Sequence, residues 1–322
     1  KLLFLLLPLG LFAQVDIFSD DSLKLKFANS ITVADLQKYI SVLASDSLEG
    51  RETGKPGQKM AANYIANFFK QIGIPPYKYN SYFQNFKVKT VKRYGRWKWD
   101  KNGVFEKMLN NNYIKGDNII GFIEGSDLKD EIVVITAHYD HLGIKDSLIY
   151  NGADDNGSGT VAIMEIAQAF MLAKKEGYGP RRSVLIMPVS GEEKGLLGSK
   201  YYTDNPVYPL ENTIANLNVD MIGRIDEYHD NPDYIYLIGS DRLSTELHQI
   251  SEEVNDKYIN LELDYKYNDK DDPNRYYYRS DHYNFAKNNI PVIFYFNGVH
   301  ADYHKESDTI EKIHFPKIEK IS

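Results

Sequence analysis

The side chains best able to do chemistry in this sequence are carboxylates and imidazoles that follow predicted strands or lie in glycine-rich turns. They fall in five short segments, which are residues 138–140, 152–159, 191–195, 218–220 and 303–304. Two imidazoles and three carboxylates, one of them shared, can form two sites that each hold a divalent cation and keep a position for water or substrate. One carboxylate then remains for proton transfer. The pattern therefore predicts a two-metal hydrolase.

These segments need a scaffold that brings strand ends together, and the hydrophobic pattern predicts one. Apolar strands are expected at 118–123, 132–137, 184–189, 214–221, 235–238 and 292–296. Helices are expected at 36–43, 61–72, 159–175, 196–202, 243–257 and 282–287. This alternation predicts an α/β fold of three layers, with a mixed, mostly parallel, twisted sheet between helices. Ligands bind beyond the carboxyl ends of such strands, where the five segments are predicted to lie.

The two-metal interpretation gives each ligand a task. Asp155 would bridge both ions through its two oxygens. His138 and Asp220 would complete the shell of one ion. Glu193 and His304 would complete the shell of the other.

Three further side chains have predicted catalytic roles beside the ions. Asp140 is placed to hold the second ring nitrogen of His138. Glu192 would take a proton from the metal-activated water and return it to the leaving amine. Tyr303 would donate a hydrogen bond to the oxyanion. Each motif alone is more often a surface turn or a packing residue, so the prediction depends on their joint occurrence.

Composition limits the class of partner and the kind of metal site. The chain has 45 acidic and 38 basic side chains and a net charge of −7, so nucleic acid and anionic membranes are not expected partners. It has no cysteine, so a bound zinc ion would have nitrogen and oxygen ligands only.

The two ends of the chain carry separate predictions. Residues 1–14 have a basic start, an apolar run and a small-residue exit, which predict a signal peptide and a secreted or periplasmic protein. No later segment has the about 18 apolar residues that a membrane span needs. Residues 15–322 are predicted to form a single domain with a small insertion around 86–117. The segment 308–322 is expected to be a C-terminal helix that is cut short.

The order and spacing of the motifs resemble the M28 family of zinc aminopeptidases. The resemblance covers about 118–313, and the segment 43–70, with Leu48-Glu49-Gly50-Arg51, is similar to the N-terminal part of bacterial secreted members. It implies a zinc-dependent exopeptidase fold, two zinc ions and peptide substrates with a free N-terminus. It favours Asp155 over Asp154 as the bridging ligand. It also implies that Glu192 is the base and that Glu193 is a ligand.

Two alternative functions stay open on the sequence. A related fold hosts glutaminyl-peptide cyclotransferases, which use a single zinc ion and a similar glutamate pair. A non-catalytic, receptor-like domain of the same fold would be expected to have lost ligands, whereas this chain has the full set. Ser280 and Asp281 are interpreted as a helix N-cap, and His141 and His300 are expected near the pocket without being needed as ligands. The oligomeric state is not indicated by the sequence.

Overall fold

The computed structural model describes residues 21–93, 96–99 and 113–322. The predicted signal peptide at 1–14 and the part of the insertion at 100–112 lie outside these residues. In the described ranges, no helix combines the length and apolar character that crossing a bilayer requires.

The described chain alternates strands and helices. The strands are β1 Phe83–Arg93, β2 Arg96–Trp99, β3 Tyr113–Ile119, β4 Gly121–Ile123, β5 Leu128–His138, β6 Gly143–Lys145, β7 Leu148–Tyr150, β8 Arg182–Val189, β9 Thr213–Val219, β10 Tyr234–Ile238, β11 Glu262–Asp264 and β12 Val292–Phe296. The α-helices are α1 Asp21–Ala28, α2 Val33–Leu43, α3 Pro56–Ile72, α4 Gly159–Lys175, α5 Leu197–Asp204, α6 Thr245–Val254, α7 His282–Ala286 and α8 Phe315–Ile321.

A seven-stranded mixed sheet forms the centre of the fold, with strand order β11-β10-β12-β9-β5-β8-β4. The four strands β12, β9, β5 and β8 run parallel to one another. Strands β10 and β4 run antiparallel to their neighbours β12 and β8. The predicted α/β class with a mixed, mostly parallel sheet is therefore confirmed.

Alternate side chains of the central strands face two separate cores. In β8, Ile186 belongs to the core formed with α2, α3 and α4, whereas its neighbour Leu185 packs with Tyr202 of α5 and Phe285 of α7. Successive residues of a strand point to opposite faces, so a strand buried on both faces must be apolar throughout. This requirement explains the continuous hydrophobic runs in the sequence. Because helices pack on both faces of the sheet, the fold has three layers.

Two predicted elements have different boundaries in the structure. The strand predicted at 118–123 is two strands, because β3 pairs with β1 in a separate antiparallel sheet while β4 pairs with β8. Gly121, at the start of β4, is the one signal in this run that marks the change of sheet. The C-terminal helix predicted from 308 begins at Phe315, where Pro316 occupies the first turn and its missing N–H costs no helical hydrogen bond.

Candidate active site

The ends of the parallel strands place the predicted ligands at one edge of the central sheet. His138 is the last residue of β5, and Asp220 directly follows β9. Glu193 lies in the loop after β8, and His304 lies in the loop after β12. Because these four strands are parallel, their carboxyl ends meet, as the sequence analysis predicted.

One group of candidate ligands consists of His138, Asp155 and Asp220, which are all buried. The Nε2 atom of His138 is 3.3 Å from Asp220 Oδ1 and 3.4 Å from Asp155 Oδ1. One nitrogen and two carboxylate oxygens therefore face a common point, as a divalent cation requires.

A second group contains Asp155 and Glu193 with two imidazoles. His304 Nε2 lies 3.1 Å from Asp155 Oδ2 and 3.3 Å from Glu193 Oε2. His141 Nδ1 lies 2.9 Å from Glu193 Oε1 and 3.7 Å from Asp155 Oδ2. The sequence analysis required only His304 here. The fully buried His141 is thus a further imidazole beside the second group, and its place three residues after His138 was the signal for it.

The donor chemistry of the two groups fits zinc. In the described residues, Asp155 Oδ2, Glu193 Oε1 and both ring nitrogens of His141 are buried without a hydrogen bond. Among the described residues, the ion-pair partners of Asp155, Glu193 and Asp220 are histidines only, and none is a lysine or arginine. Buried carboxylates without a cation are costly, and zinc binds nitrogen and carboxylate oxygen in such mixed sets.

The loop that carries Asp155 depends on a glycine. Gly152 has a φ of 55°, and a Cβ atom there would lie 2.2 Å from the backbone oxygen of Asp155 and 2.4 Å from the ring of His141. The preceding carboxylate in the motif, Asp154, belongs to neither group, because its Oδ1 accepts from the backbone N–H of Gly223 and its Oδ2 lies beside His300. Asp154 therefore fixes the loop, while Asp155 faces the ligands.

Arg51 joins the two loops that carry His138 and Asp155. Its buried guanidinium donates to the backbone oxygens of Tyr139, Asn151 and Gly152 at 2.6 to 2.9 Å, and to that of Leu43 at the end of α2. Arg51 makes no ion pair in the described part of the chain. All four of its hydrogen bonds are donated to backbone carbonyl groups. Arg51 therefore sets the separation of the two loops and leaves the carboxylates of the site free.

Asp140 orients His138 differently from the prediction. The backbone oxygen of Asp140 lies 3.1 Å from His138 Nδ1, whereas its carboxylate is 3.8 Å away. The carboxylate accepts from Thr53 Oγ1 at 2.6 Å and from the backbone N–H of Glu192 at 3.3 Å. Asp140 therefore connects the histidine loop to the loop of the predicted base.

Asp281 occupies the predicted N-cap position of α7, but its side chain makes no capping hydrogen bond. Ser280 Oγ donates to Asp220 Oδ2 at 2.7 Å and accepts from Asn218 Nδ2 at 2.9 Å. Ser280 thus orients a candidate ligand. Spacing along the chain could not indicate this contact, because it joins residues 60 positions apart.

The two neighbouring glutamates have opposite electrostatic environments. Burial, together with the charges of Glu193 and Asp220, raises the pKa of Glu192 well above its usual value. Burial would also raise the pKa of Glu193, but the neighbouring imidazoles of His141 and His304 lower it below the usual range. Of this pair, Glu192 is therefore the group suited to carry a proton, and Glu193 is the group that stays ionised.

Glu192 and Tyr303 line the same pocket as the first group of ligands. The pocket has a volume of about 40 Å³, and its remaining lining residues are His138, Asp155, Asp220, Met221, Tyr276, Arg279, Ser280, Phe294, Phe296, Val299 and His304. Burial and the neighbouring carboxylates raise the pKa of Tyr303 well above its usual value, so its hydroxyl keeps its proton and can donate. A larger apolar cavity beneath α6 contains none of the candidate ligands.

Comparison with known proteins identifies related sequences. The sequence-family model described as Peptidase family M28 matches residues 118–322. Aminopeptidase YwaD of Bacillus subtilis is 34% identical over 108 residues, which are 33% of this chain and 22% of that protein. Alignments with further curated relatives span 14% to 25% of the length of those proteins. The chain therefore corresponds to a minor part of each of these relatives.

Solved structures share the fold at low sequence identity. BSAP, a zinc aminopeptidase from Bacillus subtilis, superposes with a TM-score of 0.65 at 17% identity, over 90% of this chain and 92% of that one. The glutaminyl cyclase of Porphyromonas gingivalis gives a TM-score of 0.63 at 15% identity, over 91% of this chain and 95% of that one. At these identities the likeness shows a common fold.

Proposed function

Because the chain belongs to peptidase family M28, we propose that it is a two-metal aminopeptidase that removes N-terminal residues from peptides. The observation that carries this proposal is the position of Asp155 between the two ligand groups. Its Oδ1 lies 3.4 Å from His138, and its Oδ2 lies 3.1 Å from His304. A carboxylate that shares its oxygens in this way is suited to bridge two cations.

The chain's own residues would divide the work of peptide hydrolysis. His138 and Asp220 would hold one zinc ion, and Glu193 and His304 the other, with Asp155 between them. When bound, the two ions supply Lewis-acid polarisation of the peptide carbonyl and acidify water.

Proton transfer and charge stabilisation would fall to two residues beside the ligands. Glu192 would accept the proton of the attacking water on its carboxylate and deliver it to the leaving amine. The Tyr303 hydroxyl would donate to the developing oxyanion.

The test is a panel of aminoacyl-p-nitroanilides assayed beside a cyclisation assay on a peptide with N-terminal glutamine. We expect release of nitroaniline that a zinc chelator abolishes and that added zinc restores, with no cyclised product. Cyclisation without hydrolysis would instead support the cyclotransferase alternative, whose fold this chain shares. Zinc binding without turnover of either substrate would support the non-catalytic alternative.

We also propose export from the cytoplasm, on the basis of the apolar run that follows Lys1. N-terminal sequencing of the protein recovered from its native host would test this. A mature chain that begins near residue 15 supports export, and one that retains residues 1–14 contradicts it.

A further inference from the structure

The pocket that contains the candidate ligands also contains one arginine, Arg279. This residue follows the short turn Tyr276–Tyr278 and precedes Ser280, whose hydroxyl donates to Asp220. Its side chain is exposed and lines the pocket, with the guanidinium carbon 4.9 Å from the centre of the Tyr276 ring. Arg279 is therefore held beside the predicted reaction centre by an aromatic face.

Arg279 has no acidic partner among the residues that the structure describes. Within the described residues its side chain makes neither a hydrogen bond nor an ion pair, whereas Arg181, Arg182 and Arg224 each pair with a carboxylate. The carboxylates of the candidate ligands contact the imidazoles of the neighbouring histidines, as described above. A cation in a substrate pocket that pairs with none of the pocket's own acids is available to a ligand.

We propose that Arg279 binds a carboxylate of the substrate and gives the pocket a preference for peptides that carry one; this inference rests on the proposed aminopeptidase function. A guanidinium that stacks on an aromatic ring keeps its in-plane N–H groups free, and their fork matches a carboxylate in a bidentate contact. The aromatic walls, Phe294 and Phe296, would hold the apolar part of the same residue. Substrates with a basic side chain near Arg279 would be repelled.

The carboxylate can come from an acidic side chain or from the C-terminus of a short peptide, and two substrate pairs distinguish these sources. Aspartyl- and asparaginyl-p-nitroanilide differ only in the charge of the side chain. Leu-Gly and Leu-Gly-amide differ only in the charge of the C-terminus. In at least one pair, we expect Arg279→Gln to lower kcat/KM for the charged member about tenfold relative to the amide member, as loss of one charged hydrogen-bonding contact predicts.

Arg275 provides a matched control. Its guanidinium carbon lies 4.9 Å from the ring of Tyr278, so it has the same kind of aromatic contact, but it does not line the pocket. Arg275→Gln should leave both substrate ratios within about twofold, since it changes the same charge in the same turn without touching the pocket. If Arg279→Gln leaves both ratios unchanged while the neutral substrates are still cleaved, the inference is overturned and the proposed function stands.

A binding measurement separates this inference from turnover. Calorimetry of Leu-Gly, of aspartyl-glycine-amide and of their uncharged amide counterparts would use the zinc-loaded Glu192→Gln variant, alone and combined with Arg279→Gln. A preference for one charged ligand that disappears with Arg279→Gln supports the carboxylate site even when no aminoacyl substrate is cleaved and the proposed function has failed. Equal affinity for charged and uncharged ligands in both variants would refute it.

Discussion

At the scale of single residues, the adjacent glutamates Glu192 and Glu193 have different proposed roles, and the same substitution can separate them. Glu192→Gln should retain two zinc ions but lose about 10² to 10⁴-fold in kcat, because it removes only the proton acceptor. Glu193→Gln should also lose zinc, because a neutral amide is a poor ligand for this cation. Zinc content by elemental analysis and kcat on one nitroanilide measure both effects. Near-normal turnover of Glu192→Gln would show that the base has been assigned wrongly.

The identity of the candidate ligands was predictable from the sequence, but several contacts around them were not. His138, Asp155 and Asp220 each follow an apolar run or lie in a glycine-rich turn, so their types and places indicated a metal site. The bond from Ser280 to Asp220 depends on how the loop before α7 lies against β9. Local sequence patterns indicate only short-range periodicity. A contact between distant residues, such as this one, is determined by the complete tertiary packing.

At the scale of elements, Arg51 connects the N-terminal segment to the loops of the candidate site. Arg51→Lys should lower the free energy of unfolding by about 3 to 5 kcal/mol. An ammonium group cannot reach all four carbonyl groups, so some of these carbonyl groups would stay buried without a hydrogen-bond donor. Zinc affinity should fall as well, since the two loops that carry His138 and Asp155 lose their common support. Urea unfolding and zinc titration measure the two effects.

Arg182→Lys is the matched control for Arg51→Lys. Arg182 is exposed at the start of β8 and pairs with Glu131, so its replacement should change stability by less than about 1 kcal/mol. Equal losses at the two positions would mean that the carbonyl contacts of Arg51 have no special role. The family match begins at residue 118 and does not include Arg51. From the sequence, the segment around Arg51 could only be described as similar to known proteins. The structure supplies a physical reason for an arginine at this position.

Helix α8 is attached to β10 by a buried lysine, and this attachment predicts a dependence of stability on pH. The Lys317 ammonium donates to the backbone oxygens of Pro232 and Tyr234, and burial lowers its pKa to about 7. Between this pKa and the ordinary value of about 10.5, the unfolded chain binds more protons than the folded one, so stability rises with pH. Lys317→Met removes this rise.

The effect is measured as the difference in unfolding free energy between wild type and Lys317→Met. From pH 7 to pH 9 wild type should gain about 2 kcal/mol over the variant, which follows from the proton linkage of one such group. Groups common to both proteins cancel in this difference. Lys320→Met on the same helix is the control, because Lys320 is only partly buried and pairs with Asp233 at the surface. A difference that does not change with pH would show that Lys317 stays charged in the folded protein.

At the scale of the whole molecule, the sequence was sufficient for the architecture because the central strands are buried on both faces. Strand β12 is apolar along its length and β8 is apolar from Val184 onward, and the helices between the strands have clear periodicity. The three-residue strands β6, β7 and β11, and the pairing of β1 and β3 in a separate sheet, were not predicted by the same reasoning. Short or partly exposed strands depend on the partners they pair with, and composition carries little information about those partners.

If the two candidate ligand groups bind zinc as proposed, the stability of the whole chain should depend on zinc. They concentrate buried carboxylates that have only histidine as a counter-charge among the described residues, so a cation that binds the folded state should stabilise it. At a free zinc concentration of about 100 times Kd, the gain is about 2.7 kcal/mol for each independent site. For a chain of 322 residues, we expect a rise in Tm of about 4 °C for one site.

Differential scanning calorimetry after chelation, with zinc and then with magnesium added back, measures this stabilisation. Zinc should restore the higher Tm and magnesium should not, because magnesium requires octahedral oxygen ligands and the sets here include imidazoles. Asp155→Asn is the decisive variant, since it replaces the one side chain that both groups share. It should remove most of the zinc-dependent rise while Glu192→Gln, which changes a residue outside both groups, should keep it. A rise of equal size in both variants would place the stabilising ion elsewhere in the protein.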